Sequence, residues 1–149
     1  MRVVVQRVSW AKVIAESKVL GQIQQGLVIF VGIARDDEVQ DGLYLADKLI
    51  NLRIFSDRKG KMNLSIRDIE GSLLVVSQFT LLGDCRKGRR PGFEQAADPL
   101  KANAIYQDFI SRLEAYNLPV AQGKFQADMK VELANDGPVT ILLDSKKLF

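Results

Sequence analysis

The 149-residue chain has no histidine, one cysteine, one tryptophan and four prolines. Without histidine there can be no Ser-His-Asp or Cys-His catalytic arrangement and no His-ligated metal site. The single cysteine, Cys85, excludes an internal disulfide and is too little for a thiolate zinc site. The chain therefore reads as cytoplasmic, with no metal and no cofactor. No apolar run approaches the roughly 18 residues of a membrane-spanning helix. The opening "MRVVVQRVSW" is broken by charges and lacks the apolar stretch of a signal peptide. Any hydrolytic chemistry must find its base outside the usual side chains, or need none.

What remains is ordinary for a globular protein: 47% hydrophobic and 26% charged residues. The length suits a single domain spanning residues 1–149. A net charge of +3 and a pI near 9.1 permit a polyanionic partner without demanding one.

The pattern of elements runs strands, helix, strands, helix, strands. "MRVVVQRVSWAKVIA" reads as a long strand with "KVLGQIQQG" as its hairpin partner, and "GLVIFVGI" as a buried central strand. Val39, Leu43, Ala46 and Ile50 share one helical face, and Asp37 with Gln40 resembles a capping box. "LRIF" and "SLLVVSQFTLL" read as strands, separated by a polar, glycine-punctuated loop region with room for a short strand. Asp98 can cap a second helix with Pro99 in its first turn and Ala102, Ile105, Phe109, Leu113 and Tyr116 inward. "VAQGKF" and "MKVELANDGPVTILLD" close the chain as strands. These elements predict an α/β fold: layered mixed β-sheets with two helices packed on one side.

Three stretches can carry chemistry. Strand alternation puts Ser77 and Phe79 on one face and Gln78 and Thr80 on the other. They are either ordinary strand residues, with Phe79 in the core, or the end of a strand whose free N–H groups stabilise an oxyanion. "DCRKGRRPG" places Arg86, Lys87, Arg89 and Arg90 around Gly88: a solvated loop, or a site for phosphates, which suit arginine forks and lysine charges. "NDGPVT" is turn chemistry or a rigid element aimed at a ligand, and spacing alone favours a trans Pro138. Cys85 reads as a passive thiol despite its cationic neighbours, and Met129 and Trp10 as packing residues.

Together "SQFTLLGDCRKGRRPGF", "KFQADMKVELANDGPVTILLD" and "MRVVVQRVSWAKV" resemble the D-aminoacyl-tRNA deacylases, also called D-tyrosyl-tRNA deacylases, end to end and in the same order. The resemblance implies an enzyme that hydrolyses the ester of D-aminoacyl-tRNA, and of glycyl-tRNA mischarged on tRNA-Ala, while rejecting L-aminoacyl groups. It implies a homodimer with its active site at the subunit interface. Ser77, Gln78, Phe79 and Thr80 would line the catalytic pocket. Met129, Asn135 and a cis Gly137-Pro138 reaching in from the partner would select chirality. Arg86, Lys87, Arg89 and Arg90 would bind tRNA. The chain departs from the family pattern at Gln126, where glycine is usual, and at Leu81-Leu82, where a tyrosine is common. The rival reading is a non-catalytic RNA-binding module, which the basic loop alone would support.

Overall fold

The computed structural model describes residues 1–149. The strands are β1 (Arg2–Ala15), β2 (Lys18–Ile23), β3 (Gly26–Gly32), β4 (Phe55–Ser56), β5 (Met62–Leu64), β6 (Ser72–Ser77), β7 (Val120–Gln122) and β8 (Lys130–Asp144). The helices are α1 (Val39–Ile50) and α2 (Pro99–Glu114), and a 3₁₀ turn covers Phe79–Leu82. No helix is long and apolar enough to cross a membrane.

Six strands form one mixed sheet; β4 and β5 pair separately as a small hairpin. β2 and β3 run antiparallel along one edge of β1, at Ala11–Ile23 and then Val8–Gly26. β6 joins β3 in parallel, and β7 joins β6 in parallel. β8 runs antiparallel along β1 from Arg2–Asp144 to Ile14–Lys130. The first half of β1 and the second half of β8 share a core with both helices: Val3, Val5, Leu27, Ile29, Leu73 and Val75 meet Leu45, Leu49, Tyr106 and Phe109. The second half of β1 and the first half of β8 cover the other face of β3 and β6, where Val8, Ala11 and Val13 meet Val28, Leu74 and Val76. The layers are thus helices, sheet, sheet, as the sequence predicts, with both helices on one side.

Several local expectations need correction. Helix α1 is capped one residue later than expected: the Glu38 N–H donates to the Asp41 carboxylate at 2.8 Å. It buries Leu45, Ala46, Leu49 and Ile50, whereas Val39 and Leu43 face solvent. Asp37 is instead drawn into the interior by a non-local partner, the Met1 ammonium, at 2.5 Å with both groups fully buried. Its other oxygen accepts the Ala34 N–H at 2.6 Å. Trp10 is 40% exposed and so does not belong to the core of this chain. The "LRIF" strand shrinks to Phe55–Ser56, and "VAQGKF" to Val120–Gln122. Helix α2 is capped as expected, with Asp98 accepting the N–H groups of Leu100 and Lys101 at 3.1 Å.

Candidate active site

The apolar run of β6 stops at Ser77. Its last link to β3 is the Gln78 N–H, which donates to the Val31 carbonyl at 2.7 Å. The chain then tightens: Leu81 N–H reaches the Gln78 carbonyl at 3.3 Å and Gly83 N–H the Thr80 carbonyl at 3.0 Å. Gly32 permits this turn, because a Cβ there would lie 2.6 Å from Leu82 Cδ2 and 3.0 Å from the Gln78 carbonyl oxygen. Strand alternation therefore ends before Phe79 and does not assign faces to Phe79 and Thr80. Phe79 is not a core residue: it is 58% exposed and meets the Phe93 ring edge-on at 4.9 Å. With the first bond of the turn running from Leu81 to Gln78, the N–H groups of Phe79 and Thr80 have no acceptor inside it.

Ser77, Gln78 and Phe79 line a cavity of about 660 Å³. Its floor is apolar, from Val31, Ile33 and Val76. One wall is the entry to α2, where Ala96, Ala97, Pro99 and Ala102 keep side chains small. The opposite wall is the Phe125–Met129 loop. Met129 does two things, lining the cavity and packing against the second core layer. Gln126 holds φ +59°, the left-handed region where glycine sits without strain, and its side chain joins the wall. The α2 wall escaped the sequence reading because alanines carry no chemical signal, and Asp128 because it is a lone carboxylate. Asp128 is the one charged residue among the lining groups. Below, the buried Tyr106 hydroxyl donates to the Val75 carbonyl at 3.0 Å, and burial pushes its pKa up, so the phenol stays neutral. Thr80 lies outside the lining; its exposed hydroxyl accepts the Gln78 side-chain amide.

The basic loop leaves directly from this rim. Asp84 and Gly92 close it with paired backbone bonds of 2.8 and 2.9 Å, and Gly88 turns it at φ +81°. Arg86 forks onto Asp84 at 2.9 and 2.6 Å, which holds that carboxyl down at about 2. Lys87, Arg89 and Arg90 are exposed and have no ion-pair partner. The four cations expected to act together therefore divide into one that ties the loop and three that are free.

Asn135, Gly137 and Pro138 do not reach the cavity of their own chain. Between the pairs Gln6–Thr140 and Val8–Asn135, four residues of β8 stand opposite Arg7 alone, so Asp136–Val139 bulges from the ladder. The Gly137-Pro138 bond in this bulge is cis, and both residues are exposed. Asn135 Oδ1 accepts the Val139 N–H at 3.0 Å and closes the bulge from within. Arg7, nearly buried, donates to the Asp136 carbonyl at 3.0 Å and also to the Ile54 carbonyl. Sequence reading passed over Arg7 as a strand residue; an arginine in an apolar strand was the available signal.

The family model described as D-Tyr-tRNA(Tyr) deacylase matches residues 4–144. The D-aminoacyl-tRNA deacylase of Thermotoga petrophila is 60% identical over 149 residues, covering 100% of both chains. That of Clostridioides difficile is 56% identical over the same full length. Among solved structures, the c-Myc DNA Unwinding Element Binding Protein superposes with a TM-score of 0.91 at 36% identity, over 97% of this chain and 98% of that one. A "probable eukaryotic D-amino acid tRNA deacylase" has the same fold, with a TM-score of 0.81 at 18% identity over 95% and 97%.

Proposed function

This chain belongs to the D-Tyr-tRNA(Tyr) deacylase family, and from that premise we propose that it hydrolyses the ester bond of D-aminoacyl-tRNA as a single-domain cytoplasmic homodimer. The products are free amino acid and tRNA. The observation that supports this reading is the rim of the cavity, where the N–H groups of Phe79 and Thr80, which have no acceptor inside their turn, adjoin an apolar pocket and a cationic loop. An aminoacyl ester is already activated, so positioning and oxyanion stabilisation suffice. Water adds to the ester carbonyl, passing a proton to the 2′-hydroxyl oxygen of the terminal ribose, and the two N–H groups receive the negative oxygen. The 3′-oxygen of the terminal ribose then leaves, protonated with the help of the neighbouring 2′-hydroxyl. No histidine is required.

Chirality is read by the partner subunit's Gly137-Pro138 bulge. A wall of backbone leaves no room for an L side chain, whereas a D side chain points away and glycine has none. Glycyl-tRNA mischarged on tRNA-Ala is therefore a second substrate. Ser77 and Gln78 hold the ester, Met129 backs it, Asn135 braces the bulge, and Lys87, Arg89 and Arg90 hold the RNA with Arg86 shaping their loop. The decisive assay compares amino-acid release from D-tyrosyl-, L-tyrosyl- and glycyl-tRNA. Release from the D and glycyl esters alone is expected. Binding of all three without release would instead establish an RNA-binding module.

A further inference from the structure

Resting on that dimeric deacylase reading, we propose that the β4–β5 hairpin, through Arg58, Lys59 and Lys61, is a second phosphate-binding arm that grips the tRNA seated in the partner's pocket. The hairpin is organised from within. Asp57 Oδ1 accepts the N–H groups of Lys59 and Lys61 at 2.8 and 3.0 Å, and its Oδ2 accepts the Asn63 side-chain amide at 2.7 Å. These bonds hold the Asp57 carboxyl below its ordinary range, so it stays an acceptor for the turn. Gly60 turns the tip at φ +76° with nothing within 4 Å of its Cβ position. Arg58, Lys59 and Lys61 are exposed, and no carboxylate pairs with any of them. Three free cations in four residues, on a pre-shaped turn, suit successive phosphates of a nucleic-acid backbone.

Their place in the fold gives them a particular target. Arg7 ties the base of the hairpin, at the Ile54 carbonyl, to the Asp136 carbonyl of the Gly137-Pro138 bulge. The Phe55 ring lies beneath the same guanidinium at 6.0 Å. Hairpin and bulge are thus one unit. Within its own chain this unit sits opposite Leu27, at the start of β3, whereas the cavity opens at Val31 and Ser77. Four strand residues separate them, roughly 13 Å. A bulge that enters the partner's pocket therefore brings its own hairpin to that pocket's mouth. The tRNA would then lie between two basic arms, the Lys87–Arg90 loop of one subunit and the Arg58–Lys61 hairpin of the other.

The test replaces Arg58, Lys59 and Lys61 together with alanine and compares this variant with one lacking Lys18, Lys48 and Lys147, which carries the same loss of charge elsewhere. Equilibrium binding of uncharged tRNA is measured against salt, a readout that does not depend on hydrolysis. The hairpin variant should flatten the slope of log K against log salt by about 2 to 3, near 0.9 per lost contact, and the control by less than one. Deacylation provides the second readout: KM for D-tyrosyl-tRNA should rise on the order of tenfold at about 50 mM salt. Cleavage of 3′-O-D-tyrosyl-adenosine, which has no RNA body, should not change. In mixed dimers with one pocket blocked by Ala102→Trp, KM should rise when the hairpin facing the open pocket, on the other subunit, is neutralised. Failure of the unaltered protein to release amino acid would remove the deacylase reading, and the binding slope would still decide the hairpin. Equal slopes for the hairpin and control variants, or a mixed dimer that depends on the hairpin of the open subunit, would overturn the proposal.

Discussion

Thr80→Ala separates a backbone mechanism from a side-chain one. The hydroxyl of Thr80 is exposed, lies outside the cavity lining and accepts a single bond, from Gln78. Removing an exposed hydrogen bond of this kind costs about 1 kcal/mol or less. The backbone N–H remains. Single-turnover hydrolysis of D-tyrosyl-tRNA should therefore slow by less than about tenfold. A threonine nucleophile would behave differently, since losing an essential nucleophile costs more than the about 10²–10³ of one oxyanion donor. An internal threonine also lacks the amine that activates such a nucleophile in other enzymes. The companion substrate ends in 2′-deoxyadenosine, aminoacylated at the 3′ position. It should react about 10²–10⁴ more slowly if the 2′-hydroxyl moves the proton. A folded but dead Thr80→Ala enzyme, with a fully competent deoxy substrate, would refute the reasoning and make threonine the nucleophile.

Asp37→Ala strands the buried Met1 ammonium and should destabilise the protein by about 3–5 kcal/mol in urea unfolding; an unchanged midpoint would mean the amine finds water. Although desolvation pushes the Asp41 carboxyl up, bonds from Ser145, the Glu38 N–H and Lys146 bring it from 3.8 down to about 2. Its folded value lies below its unfolded one, so its stabilisation is complete above pH 3.8 and fades as pH falls through 2. The Tm gap between the unaltered protein and Asp41→Asn should accordingly shrink over that window; a constant gap would contradict the sign. Replacing Lys87 and Arg89 by alanine should flatten the salt dependence of tRNA binding by about 1 to 2, and an unchanged slope would make the loop a solvated bystander. Sedimentation should find a dimer, and a fully active monomer would exclude a shared pocket.

Much of the fold was legible because burial and period agree. β1, β3, β6 and α2 each carry a pattern that only one element satisfies, and Asp98 and Pro99 mark the start of α2 unambiguously. Helix α1 was misread for a physical reason. Leu43, Leu45, Ala46, Leu49 and Ile50 supply two overlapping apolar stripes, and only packing against α2 selects the one through Leu45 and Leu49. Asp37 looked like a cap because its real partner is 36 residues away in sequence. The strand through "SQFT" looked continuous because Leu81 and Leu82 extend the apolar run, whereas the close approach of Gly32 is a tertiary fact. The site residues on the rim were legible as polar groups ending an apolar strand. The alanine wall was not, because its contribution is the space it leaves.

The lack of histidine also explains how polar groups are distributed over this site. A general base inside the cavity would have to be a carboxylate or lysine, whose burial shifts it toward the neutral form. The cavity instead has an apolar floor, a single carboxylate, Asp128, in its wall, and at its rim Ser77, Gln78 and the turn after β6, whose backbone N–H groups would, on the proposed reading, meet developing charge without titrating. Backbone donors cost no reorganisation as the oxyanion forms, and a surrounding of low polarity strengthens them. The cations cannot share that space, since unpaired charge is expensive to bury, and Lys87, Arg89 and Arg90 stand in water on the loop that leaves the rim. On the proposed reading, the two kinds of group answer to different parameters. Altering the turn after β6 should change the rate of the bound ester at constant KM, whereas altering the basic loops should change KM and its salt dependence at constant kcat. A loop substitution that lowered kcat for 3′-O-D-tyrosyl-adenosine would break that division and place a cation at the reacting ester.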